Sequence, residues 1–100
     1  MSQELNFINF RKHLASTFYL KQNQNEEPLK LQLEEVEEQK GDIPEGFKRP
    51  FSLLFHTQKD TSPLVQNTYQ VSHEEMGDFL LFLVPVQPTK ESFLYEAIFS

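Results

Sequence analysis

The sequence has no cysteine, no tryptophan and only three glycines. Without thiols there are no disulfides and no thiolate-bound zinc. That usage suits a reducing compartment, and a cytoplasmic location is the expectation. Three isolated glycines cannot build a phosphate-cradling loop. Positive charge is also scarce: nine Lys and Arg stand against fifteen Asp and Glu, a net charge of −6. A chain with no basic stripe is a poor match for nucleic acid or for an anionic membrane surface. Met1 to Leu5 hold neither a basic region nor an apolar run, so no signal peptide is expected. The longest apolar run, Phe79 to Val86, is far shorter than the ~20 residues of a transmembrane helix. Pro85 would break a helix in any case. A lone membrane strand cannot satisfy its backbone, and no other segment carries a lipid-facing apolar set. Neither nucleic acid nor membrane is therefore an expected partner.

What is present is aromatic. Thirteen aromatic residues, ten of them Phe, in 100 residues point to one domain with a packed core. The apolar residues of Leu5 to Ala15 recur at Phe7, Phe10 and Leu14, a helical stripe with Arg11, Lys12 and His13 near its C-terminal end. A short amphipathic helix is predicted over 5–15. The period then changes to two. Leu29, Leu31 and Leu33 alternate with Lys30, Gln32 and Glu34, the pattern of a strand with one wet face. Strands are predicted over 16–22, 29–38, 51–57, 67–73, 78–87 and 93–99, joined by polar turns such as 23–28 and a longer break at 39–50.

One short helix followed by six closely spaced strands predicts a mainly β domain. The expected form is a twisted antiparallel sheet, closed or half-closed as a small barrel or sandwich, with the helix as plug or lid. Phe51, Leu53 and Phe55 are expected inward with Tyr69 and Val71. Phe79 to Val86 reads as a strand apolar on both faces, with Pro85 at a bulge or where the strand leaves the sheet. Gly77 is expected in a left-handed conformation at the turn before it. The loop length there is open, and a one-residue shift exchanges the faces of the whole strand. In 93–99 the larger set, Phe93, Tyr95, Ala97 and Phe99, is expected inward, which turns Leu94, Glu96 and Ile98 outward.

Four segments carry a resemblance: PFSLLF at Pro50 to Phe55, TYQVSH at Thr68 to His73, FLLFLVPV at Phe79 to Val86 and YEAIF at Tyr95 to Phe99. In this order they resemble a family of small uncharacterised bacterial proteins, a domain of unknown function. The likeness covers about the C-terminal half and the strand at Leu29 to Val36. The resemblance implies no catalytic residues. For some members it implies a neighbourhood of phage-tail-collar-like proteins, and so a place in a larger, phage-tail-like assembly.

No residue constellation points to catalysis, a metal or a cofactor. Ser52, Ser72 and Ser92 lack the G-x-S-x-G context and an ordered His–Asp pair. His13, His56 and His73 are far apart in sequence. For His73 the preferred reading is a hydrogen bond to the backbone of the turn beside Gly77, and the same applies to His56. The acidic run Glu34, Glu35, Glu37, Glu38, Asp42 and Glu45 lacks a calcium-loop pattern and reads as a solvated strand end. Glu96, between apolar neighbours, reads as an edge-strand charge or a cross-strand partner of Lys or Arg.

The function expected is a non-catalytic structural or protein-interaction domain. Its strands are apolar on two faces, and one short helix cannot cover an outer face. Copies of itself, as a homodimer, or another protein are the expected partners. Leu94, Glu96 and Ile98, with Leu54, are the candidate interaction residues. The alternative is a small-ligand-binding barrel with its mouth at His73 and Tyr69, near Gly77.

Overall fold

The computed structural model describes residues 4–23 and 26–99. The polar turn expected at 23–28 falls partly outside them. The chain forms one short helix and six antiparallel strands closed into a barrel. The elements are α1 (Phe7–Lys12), β1 (Thr17–Leu20), β2 (Leu29–Glu38), β3 (Phe51–Gln58), β4 (Asn67–His73), β5 (Gly77–Val86) and β6 (Ser92–Phe99). The barrel order is β1-β2-β3-β6-β5-β4, and β4 returns to pair with β1 through Tyr19↔Ser72 and Leu20↔Val71. Four of the five connections join neighbours. Only β3 to β4 crosses an open end of the barrel.

Alternation fills the interior. Phe18 and Leu20, Leu29, Leu31 and Leu33, Leu53 and Phe55, Val71, Leu81 and Leu83, and Tyr95 and Ala97 are all buried. A barrel of so few strands has room for little besides side chains. At β4–β5 the register Val71↔Phe79 and His73↔Gly77 resolves the choice that the sequence leaves open: Phe79, Leu81 and Leu83 face inward. Gly77 has φ of 80°, the left-handed value expected. One bulge interrupts β2 between Leu33 and Glu35. It shifts the phase, so Val36 faces inward opposite Leu53 while Glu35 and Glu37 lie opposite the outward Leu54 and Ser52.

The helix is shorter than the predicted 5–15. Asn6 caps it, its side chain accepting from the Asn9 amide at 2.8 Å. At the other end Ala15 adopts φ of 69°, which ends the helical path. The Ala15 N–H then donates to the Leu33 carbonyl at 2.8 Å, so the chain enters β1 already bonded to β2. Leu14 consequently leaves the helical stripe and is exposed.

α1 stoppers one mouth. Phe10 is fully buried, with ring centroids of Phe99, Phe79, Phe18 and Phe51 between 5.5 and 6.1 Å away. Phe51 and Phe99 stack at 4.6 Å beside it. The opposite mouth lies under the β3–β4 crossing. There Leu64 packs on the core, its N–H donating to the Tyr95 hydroxyl at 2.8 Å.

Candidate functional site

The outward positions of β5, β6 and β3 form one surface. Val84 pairs with Glu96 and Val86 with Leu94 across β5–β6, while Glu96 pairs with Leu54 and Ile98 with Ser52 across β6–β3. All of these have the outward parity of their strands. Ile98 is 68% exposed, and Leu80 and Phe82 on β5 are 65% and 50% exposed. Leu54, Val84, Leu94 and Glu96 are half-buried between them. The four residues picked from sequence, Leu54, Leu94, Glu96 and Ile98, thus lie together on adjacent strands. Leu80, Phe82 and Val84 complete the patch; the sequence leaves their face open, because it depends on the length of the Gly77 turn.

Glu96 differs from its expectation in two ways. The barrel is closed, so β6 is not an edge strand. Its cross-strand neighbours are Leu54 and Val84, not Lys or Arg, and among the described residues it enters no ion pair. An open hollow of about 250 Å³ adjoins it, bounded by Glu37, Glu38, Ser52, Glu96 and Ile98 among others. The hollow arises where small Ser52 stands between Glu37 on β2 and Ile98 on β6.

The histidines separate. His56 faces outward, half-buried, with Nδ1 3.5 Å from Glu34 Oε2. His73 faces inward at the helix-plugged mouth. Its ring lies between those of His13 and Phe18, each centroid 4.4 Å away. Its Nδ1 accepts from the Glu75 and Met76 amides at 3.0 and 3.3 Å, the turn-backbone contact that the sequence suggested. The proton therefore sits on Nε2, which faces Ser16 Oγ at 3.0 Å. Ser16 in turn donates to the His13 carbonyl. This polarity is the reverse of the one that activates a serine, where the imidazole lone pair receives the hydroxyl proton. Burial lowers the pKa of His73, and the neighbouring His13 lowers it further, against a smaller upward pull from Glu75 and Glu74. Glu75 Oε2 also lies 3.4 Å from His13 Nδ1. The cluster ties the end of α1 to the β4–β5 turn. No spacing rule links His13, Ser16 and His73, so sequence alone did not join them.

Tyr69, paired with His73 in the expected ligand mouth, is four residues up the same strand. It packs on the core near the other end of the barrel, and its hydroxyl donates to the Val65 carbonyl at 2.6 Å. The two residues do not share a mouth, and the mouth near His73 is occupied by Phe10 and the buried Met76. Among the described residues no three His, Asp or Glu side chains converge as a metal set, and no helix is long and apolar enough to cross a membrane.

Fold and surface together define a small closed antiparallel β-barrel, stoppered by a helix, with a broad apolar area on its outer wall. Residues 5–99 match the family model described as "Domain of unknown function (DUF6916)", and the chain belongs to that family. Comparison with curated proteins and with solved structures found no match.

Proposed function

We propose that this barrel is a non-catalytic interaction domain, which binds protein through the outer wall of β5, β6 and β3. The observation that carries the reading is the exposure of Leu80, Phe82 and Ile98 on neighbouring strands of one wall. Isolated apolar residues on a surface need no explanation, but a contiguous apolar patch marks a contact area. The interior is filled by its own side chains, and although Ile8, Phe47 and Val65 are exposed elsewhere, Leu80, Phe82 and Ile98 lie on adjacent strands of one wall. A place in a larger assembly, phage-tail-like or other, accords with that surface.

The test uses two baits in an extract of the native cell, the wild type and Leu94→Lys/Ile98→Lys. Proteins held by the first and released by the second define the surface. Circular dichroism confirms that the double variant is folded. Equal retention by both baits, or none by either together with a monomeric wild type in light scattering, overturns the proposal.

A further inference from the structure

We infer that the partner of this wall is a basic, amphipathic protein segment rather than a second copy of the chain. The inference rests on the interaction reading above and concerns the charge that accompanies the apolar patch. β3, β5 and β6 contain no Lys or Arg at all, and β2 has only Lys30 near its start. Carboxylates, by contrast, rim and interrupt the wall. Glu96 stands between Leu54 and Val84, and Glu35 and Glu37 lie opposite Leu54 and Ser52 on the β2 side. Asp78 closes the row on β5, opposite Ser72.

A two-fold contact would place this wall against itself. Glu96 would then be covered by strands that carry no Lys or Arg, on a chain already at −6. Burying a carboxylate without a countercharge is costly, and like charges across an interface suppress association. A partner with Lys or Arg among apolar residues meets both requirements. The hollow over Ser52 suits such a side chain. Ile98 offers apolar surface to an aliphatic stem, and Glu37, Glu38 and Glu96 ring the place where the head group arrives. Arginine fits best, because its planar fork pairs with carboxylates in a bidentate manner while its stem covers apolar surface.

The test uses three synthetic peptides with one leucine pattern, whose polar positions are all Arg, all Gln or all Glu. Binding to the wild type is followed by fluorescence anisotropy at two salt concentrations. The Arg peptide is expected to bind at least about tenfold more tightly than the Gln peptide, and the Glu peptide not at all. Glu96→Gln should remove most of that advantage, while Asp60→Asn, an equal charge change on the β3–β4 connection, should leave it intact. If the Arg and Gln peptides bind equally and Ile98→Asp abolishes both, the basic partner is wrong but the interaction surface stands. A wild type that dimerises and is dissociated by Ile98→Asp likewise overturns the basic partner in favour of a second copy. If the Arg advantage survives Glu96→Gln, attraction is general to the acidic chain and the inference fails. If no peptide binds and the protein is monomeric, the interaction reading fails with it.

Discussion

His73 joins the helix to the sheet through Ser16: Nε2 lies 3.0 Å from the serine Oγ while Nδ1 accepts two amides of the β4–β5 turn. Both ring nitrogens are committed, and only the neutral ring can make this set of bonds. Protonation would turn the Nδ1 acceptor into a donor facing two donors, beside His13 at 4.4 Å. The folded protein therefore holds the His73 pKa below the 6.5 of a free histidine.

At pH above 6.5 the ring is neutral in folded and unfolded chains, and its bonds contribute in full. As pH falls below that value the unfolded chain takes up the proton first, so stability declines until the folded pKa is reached. Thermal melts over roughly pH 5 to 8 should show this slope. His73→Asn, which keeps an acceptor for the turn amides but does not titrate, should show a shallower one. Identical slopes for the two proteins would remove His73 as the cause.

The Phe10 plug should matter far more than the length of its helix suggests. α1 has only six residues and would not persist alone in water. Besides the Asn6 cap and the packing of Leu5 and Phe7 on the core, it is held by one fully buried ring set among four others. Phe10→Ala should cost about 3–5 kcal/mol in urea unfolding, as much as Phe55→Ala in the barrel wall. A loss below about 1 kcal/mol, the scale of a surface change, would mean that the helix rests on the mouth without sealing it.

Much of this architecture was legible, for identifiable reasons. The alternation of Leu29, Leu31 and Leu33, and of Phe93, Tyr95 and Ala97, fixes which face is inward wherever one face must stay dry. Val36 shows where the rule ran out. It is out of phase with the three leucines before it, and the bulge after Leu33 that restores it to the interior has no residue signature of its own. The helix ends earlier than its pattern implies, because Leu14 continues the stripe whereas Ala15 turns left-handed to meet Leu33. The outward residues of β3 and β6 can be named from alternation alone. Those of β5 could not, since both parities are apolar and a turn of fixed length had to choose.

Gly77 makes that choice, which gives a third prediction. At φ of 80° a side chain carries a backbone penalty of roughly 1–2 kcal/mol, larger for a β-branched residue. Gly77→Val should therefore lower stability by at least that amount, and Gly77→Asn by less, because asparagine tolerates this region. Chemical denaturation of both variants measures the difference. Equal losses would show that crowding, not backbone conformation, sets the requirement for glycine.

The register that Gly77 imposes can be tested one residue apart. Leu80 is 65% exposed and Leu81 only 2%, although the two are identical side chains adjacent in sequence. Leu80 pairs with Gln70 on the wall, and Leu81 with Tyr69 towards the core. Leu80→Lys should leave stability within about 0.5 kcal/mol, as surface substitutions do. Leu81→Lys places an unpaired ammonium among apolar side chains and should cost several kcal/mol, enough to unfold a domain whose whole reserve is ~5–15 kcal/mol. The slipped pairing, with Leu80, Phe82 and Val84 inside, predicts the opposite order, so one pair of melting curves separates the two. The same pair bears on function. If Leu80→Lys is folded and wild-type in stability but loses the Arg-peptide binding that Asp60→Asn retains, β5 belongs to the contact surface together with β6 and β3. If binding is unchanged, the contact is confined to β6 and β3, around Ile98 and Glu96.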